Sequence, residues 1–537
     1  MALSLDTTPY ALIMRASAAV RLTALMISAF AVSLLLLIAT EPSPLHAAYP
    51  TGGGIGKVYK SLGGSSGRLG PATGSEHCTL IQNGCYQSFR NGSIHWTKTT
   101  GAHATWGAIR TAWKKSGWEK GALGYPTSNE YKSGSETRQS FQKGRITWSS
   151  SRGAAVILAK ATASFSLKGA GYGHGVGLSQ YGARGMAVQG KSATQILEHY
   201  YDPAQVTSTT KSANANLKVQ LVAGKQSVTV TPSAGRLRVH VGSKKIESSQ
   251  KITVERTSAG TVKVSVNGKS YQSSWISVEW QGTRYWTGSQ KTTVAVSSAQ
   301  NGSTGTYRHG KLEIRQLSKA LNVLGVLRVN SEYLPGIAEM PASWQQEALR
   351  AQAIASRTYA YRNLGSLKSA CACNVYDEVT SQRFLGWSHE NASGSSPWRQ
   401  AVAATQNVSG SSVKSAKVVT YKGSLINAVY SPSSGGKTNS AAEVWGSSVP
   451  YLKSRDDSVA KSKAAGNPYA SWTATLKQST AATAFGLKDV RTIVVTRTGS
   501  GLVKTAKATS TNGQTSSLTG AQLRSKLGLR SATFTVG

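Results

Sequence analysis

The chain has 537 residues, with 61 Lys and Arg against 22 Asp and Glu and a formal net charge of +39. That excess implies an anionic partner surface, but the basic residues are scattered singly and no basic helix or aromatic RNA-binding signature is present, which argues against nucleic acid. An anionic bacterial envelope, with phosphate-rich wall polymers and carboxylated glycan, fits the charge; mere solubility is the plainer explanation.

Residues 1–48 read as an export signal. Arg15 and Arg21 precede an apolar run over 22–39, followed by Pro42, Pro44 and small residues at Ala47 and Ala48. The run is close to a membrane span in length, so an uncleaved N-terminal membrane anchor is the alternative. Either way the rest of the chain is expected outside the cytoplasm, secreted or wall-associated. The cysteines agree: Cys78 and Cys85 are spaced to close a short disulfide loop, and Cys371 and Cys373 form a tight pair. Neither pair has the CxxC spacing of ribbon-type zinc sites, and neither a metal nor a cofactor is predicted.

A unit repeats over 53–152 with a period near fifty. The first copy has Leu69, Gly70 and Pro71, then SFRNGSIHW ending at Trp96. The second has LGYP from Leu123 to Pro126, then SFQKGRITW ending at Trp148. Each is a Gly-Pro corner followed by Phe, a turn and an alternating strand. Aromatic rings can stack on sugars, but Phe89, Phe141, Trp96 and Trp148 are expected to form the repeats' cores.

GAGYGHGVGLSQYGARGMA begins at Gly169. Glycine at every second position leaves one face of an extended segment as bare backbone, which another chain segment or an extended ligand can approach closely. No dinucleotide register fits the spacing, and Ser179 lacks the second glycine of a nucleophile elbow. His174 on this ribbon, leading into a helix over Gln180–Val188, points to a cleft wall. Over 217–296, LKVQLV, SVTVT, LRVHV, KITVE, TVKVSV and ISVEW alternate apolar and polar residues between Gly, Ser and Asn turns, predicting a half-exposed antiparallel sheet.

The block EYLPGIAEMPASWQQEALRAQAIASRTYA at 332–360 is the most informative. Glu339 lies among Ile337, Met340 and Trp344, and apolar surroundings push a carboxyl toward the protonated state that a general acid needs. Pro341 predicts a helix beginning about there. Its N-terminus would oppose the apolar neighbours by favouring charge on Glu339, making it a better base than acid. A solvated loop glutamate is the bland reading. Trp344, Ala348, Ala351, Ala355 and Thr358 give this helix a narrow face for close packing, with Gln352, Arg357 and Tyr359 either facing a cleft or merely polar.

These blocks resemble the SpoIID/LytB family, whose Glu-bearing block matches 332–360. Its SQ-Y-G element matches Ser381, Gln382, Phe384 and Gly386, its Y-S-SGG stretch matches 430–446, and its GHGVG element matches 173–201. The N-terminal units resemble LGFP repeats, thought to attach exported proteins to the wall. The resemblance implies an α+β fold of mixed, largely antiparallel sheets with a few helices. It divides the chain into a repeat domain at 49–152 and a catalytic domain at 153–537 with a β-rich insertion at about 216–300.

The family's activity implies a peptidoglycan lytic transglycosylase acting on glycan strands, with Glu339 as the single recycling acid/base. It also implies substrate-binding roles for His174, Gln180, Tyr181, Gln382, Ser433, Gly435 and Gly436. Asp377, Glu378, Glu443, Asp456 and Asp457 are the acids that folding could bring beside Glu339; a close second carboxylate would reopen simple hydrolysis. The alternative is a non-catalytic wall-binding protein that modifies a partner amidase. In most relatives the GHGVG element follows the Glu-bearing block, whereas here it comes first. That order looks like a circular permutation and requires Gly537 to finish near residues 161–165. The family's Cys/His metal site is not carried over, since no histidine follows Cys373 until His389.

Overall fold

The computed structural model describes residues 49–159, 161, 163–511 and 514–537; the export segment or anchor expected at 1–48 lies outside the described residues. Among the described residues no helix is long and apolar enough to cross a membrane. The architecture is α+β, with mostly antiparallel sheets and short helices.

Each repeat is a helix, Gly53–Ser61 or Gly107–Lys115, packed on a four-stranded antiparallel meander. Alternation along SFRNGSIHW turns Phe89 and Ile94 inward, and Leu69 and Leu123 of the Gly-Pro corners are fully buried. Phe141 is buried as well, but Trp96 and Trp148 are only half-buried and flank the cores rather than fill them. The second meander is completed by Gly153–Leu158, past the expected boundary at 152. It is tied to the C-terminal region, where Leu158 N–H donates to Thr511 O at 2.7 Å and the Arg491 guanidinium donates to Ala122 O at 3.2 Å. Cys78–Cys85 and Cys371–Cys373 are both disulfides.

The β-rich stretch expected at about 216–300 pairs with later segments of the chain. Asn216–Lys225 pairs antiparallel with Ala320–Arg328 and parallel with Val375–Tyr376, inside a seven-stranded sheet. A six-stranded sheet, built from Ser227–Pro232 and later strands, shares the same hydrophobic core. Local alternation shows that strands exist; which distant strand they join is decided by burying both faces of this core. Gln346–Arg362 runs through that core, buried around most of its circumference. It starts five residues later than Pro341 suggests, because Pro341 opens a turn closed by Trp344 N–H on Pro341 O at 3.1 Å.

At the other end Ser164–Gly169 is flanked by Trp472–Lys477 and Phe534–Val536 in a three-stranded sheet. Gly537 N–H donates to Ser166 O at 2.9 Å, so the two ends required to meet do meet. Phe165, Leu167, Trp472, Phe485 and Phe534 make a second core beneath them.

The glycine ribbon is not a plain extended strand. Gly171, Gly173, Gly175 and Gly177 all have positive φ, and the bare face is occupied by the chain's own segment 429–439. At Gly177 (φ +72°) a Cβ would lie 2.2 Å from Val429 O. Gly177→Ala is therefore expected to destabilise the protein by about 3 kcal/mol or more, read as a lowered thermal midpoint.

Candidate active site

Three stretches distant in sequence converge on Glu339. Residues 336–339 run beside 382–386: Ile337 bridges Phe384, Ala338 N–H donates to Arg383 O at 2.9 Å, and Leu385 N–H donates to Gly336 O at 2.9 Å. Glu339 extends this ladder with its side chain, Oε1 accepting from Arg383 N–H at 2.6 Å. Tyr430 Oη donates to the same oxygen at 3.2 Å. Among the described residues nothing hydrogen-bonds Oε2, which is not fully buried. One oxygen is anchored and the other is available.

Burial raises the Glu339 pKa above the ordinary carboxyl value, opposed in order by the Arg383 N–H, the Tyr430 hydroxyl and the Arg383 guanidinium. The helix terminus that the sequence sets against the apolar neighbours lies at Gln346, seven residues on, and its effect falls off within a turn. Ile337, Met340 and Trp344 are buried around the acid.

A polar relay holds Tyr430. Gln382 Nε2 donates to Tyr430 Oη at 3.1 Å and to Ser356 O at 3.2 Å, while Gln382 Oε1 accepts from Tyr333 Oη at 3.2 Å. Gln180 Nε2 donates to Glu339 O at 3.2 Å and to Gln352 Oε1 at 3.2 Å. Gln382 is fully buried and Gln180 nearly so, and both spend their amides on protein groups. They position the acid and Tyr430 rather than face a ligand.

Ser433 is buried too: its hydroxyl accepts from Asn467 Nδ2 at 2.9 Å, and its backbone pairs with Tyr172. Gly435 and Gly436 have positive φ; a Cβ at Gly435 would meet the Ala170 backbone at 2.8 Å, and one at Gly436 would meet the Lys461 side chain. Tyr181 is half-buried in a row of rings, 4.8 Å from Trp344 and 5.8 Å from Tyr469, which lies 4.8 Å from the exposed Tyr172.

His174 meets the site through Tyr430, whose backbone hydrogen-bonds the imidazole. Its Nδ1 accepts from Val176 N–H at 3.0 Å, which places the proton of the neutral ring on Nε2. Burial first, then Arg524, lowers its pKa to about 4, so the ring is neutral near neutrality. It lines a cavity of about 720 Å³ together with Tyr172, Glu443, Lys504 and Arg524. Glu339 is not part of that lining.

The other acids are employed elsewhere. Asp457 is fully buried, taking Tyr200 Oη at 2.5 Å and the Ser434 hydroxyl, and so pins the SGG loop. Glu443 caps the helix Ala441–Trp445, and Asp456 accepts from Ser458. Asp377 accepts from Asn301 at 2.6 Å, and burial raises its pKa to about 7. Among the described residues Arg383 and Tyr430 are the groups that oppose the raised pKa of Glu339, while Asp377 acts together with Glu339 on the Tyr333 hydroxyl. Glu76, Cys78 and Cys85 are the one cluster of metal-type ligands among the described residues, and both sulfurs are in the disulfide.

Tyr430 and Arg383 are the residues that sequence reasoning passed over. Tyr430 stands at the head of the Y-S-SGG stretch, and that place was the only signal for it.

Comparison with known proteins follows the same segments. Residues 319–409 match the family model described as Stage II sporulation protein, and 69–121 and 123–164 match the LGFP repeat. The chain thus carries a SpoIID domain and LGFP repeats. It is 38% identical over 140 residues to the amidase enhancer of Bacillus subtilis (strain 168), covering 26% of this chain and 16% of that protein. It is 30% identical over 215 residues to the stage II sporulation protein D of Bacillus amyloliquefaciens, covering 38% of this chain and 58% of the relative. The corresponding Bacillus subtilis protein is 28% identical over 267 residues, covering 46% and 71%. The chain therefore spans less than two thirds of the first two relatives.

Proposed function

We propose that this is an exported, wall-associated lytic transglycosylase that cleaves peptidoglycan between N-acetylmuramic acid and N-acetylglucosamine, leaving 1,6-anhydro ends. The observation that carries it is Glu339: one oxygen anchored, one without a protein partner, a pKa raised by burial, and no carboxylate among the described residues contributing to that shift. Protonated Glu339 gives its proton to the bridging oxygen as the C1–O bond breaks. The carboxylate left behind is stabilised by the Arg383 N–H and guanidinium and by Tyr430. It then takes the proton of the muramic 6-hydroxyl as that oxygen bonds C1 and closes the ring. No water is consumed, and the acid is regenerated. A hydrolase would place a second carboxyl across the bond. The LGFP repeats and the +39 charge hold the chain to an anionic wall.

The test is incubation of the protein with peptide-bearing and denuded glycan strands, with mass analysis for products lighter than hydrolysis products by one water. Anhydro ends on either substrate support the reading. No product on either favours the second reading, a wall-binding partner that modifies an amidase, for which the name of the amidase enhancer relative is the specific support.

Tyr430→Phe gives a graded check. The Tyr430 hydroxyl lowers the Glu339 pKa, so its removal raises that pKa further. The acid then stays protonated to higher pH, and the alkaline limb of the pH–rate profile moves upward. The maximal rate falls roughly tenfold because the intermediate carboxylate loses a donor.

A further inference from the structure

The two repeats enclose a cavity of about 490 Å³ that the lytic reading does not use. The first copy contributes Arg68 and Trp106, and the second contributes Glu130, Tyr131, Lys132 and Trp148. The Arg68 guanidinium lies 5.3 Å from the centre of the Trp106 ring, and the Trp106 side chain hydrogen-bonds Glu130. Tyr131 is 42% exposed, and Trp106 and Trp148 pack against their repeats' cores yet stay half-buried, so each of the three rings keeps part of its surface on the hollow.

We propose that this inter-repeat cavity binds a ring of a carboxylated amino-sugar, Trp148 and Tyr131 taking the sugar faces and Arg68, held over Trp106, taking the carboxylate with Lys132. The volume falls within the usual range for small-ligand sites, and the lining combines apolar rings with a few placed polar groups. A simple polyanion site would need the cations and not the rings. Neither copy walls the cavity alone, which gives the duplication a purpose. The class of ligand rests on the wall-directed reading above, but the site does not depend on glycan cleavage.

Glu130 makes the binding pH-dependent. Burial raises its pKa to about 7 against the opposing pull of Arg68, the Trp106 hydrogen bond and Lys132. Below that pH the neutral carboxyl donates a hydrogen bond; above it a negative charge faces the ligand's carboxylate. Affinity is therefore stronger at about pH 6 than at about pH 8.

The experiment titrates the full chain with the N-acetylglucosaminyl-N-acetylmuramic acid disaccharide, which lacks the bond that the lytic reading cleaves, by calorimetry. Controls are its carboxyl-reduced form and poly(glycerol phosphate). Tyr131→Ala and Arg68→Ala, both at exposed positions, are expected to weaken disaccharide binding roughly tenfold each, with unchanged melting. Glu130→Gln is expected to level the pH dependence. Disaccharide affinity unaffected by both Ala variants overturns the proposal, as does equal binding of the reduced sugar or a preference for the phosphate polymer. Failure of cleavage in the wild type leaves this result standing, so the two readings fail separately.

Discussion

Glu339→Gln is expected to cut glycan cleavage by at least about a thousandfold while shifting the thermal midpoint by no more than about 2 °C. The asymmetry follows from the site. Burial favours the uncharged form of this side chain, so a neutral amide of the same shape replaces the state that the fold prefers. Its oxygen can still accept from Arg383 N–H and Tyr430 Oη. An amide cannot give up a proton to the bridging oxygen and take another from the 6-hydroxyl, so only the chemistry is lost. Anhydro-product formation and circular dichroism melts check the two halves. Retention of more than about a tenth of the rate would reject Glu339 as the acid. Asp377, with its pKa near 7, would then be next to test.

The apolar surround of Glu339 was legible because Ile337, Met340 and Trp344 are its neighbours in the chain, and the repeats were legible because each copy restates the other. What tunes the acid was not legible. Arg383 and Tyr430 reach it from 44 and 91 residues away, and no local pattern marks which backbone N–H or hydroxyl will arrive. The same limit applies to the sheet over 216–300. Alternation shows a strand, but the pairing of Asn216–Lys225 with Ala320–Arg328 is a property of the assembled core. The glycine ribbon gave the right physics and left its occupant open. Bare backbone does admit close approach, and what approaches is the chain's own 429–439 segment, which carries Tyr430 toward Glu339.

Arg357 shows why a polar residue in a motif block need not touch substrate. On the helix it could face a cleft or be merely polar; the structure buries it completely. Its guanidinium donates to Asn330 Oδ1 at 2.6 Å, Thr405 Oγ1 at 2.9 Å, Lys417 O at 3.0 Å and Val402 O at 3.4 Å. Burial lowers its pKa to about 10, so it stays charged at neutral pH. It knits the helix to three neighbouring segments. Arg357→Met strands those acceptors away from water and is expected to cost about 3–5 kcal/mol, seen as a midpoint lower by about 10 °C. Arg357→Lys should recover little of this, because one ammonium cannot reach acceptors arranged for a planar fork. Below the lowered midpoint the folded fraction of Arg357→Met should keep the KM of the wild type. A raised KM with an unchanged midpoint would instead place this side chain in the glycan groove. That pattern is the opposite of the one expected for Glu339→Gln, so melting and kinetics on the pair separate the residue that does the chemistry from the one that holds its frame.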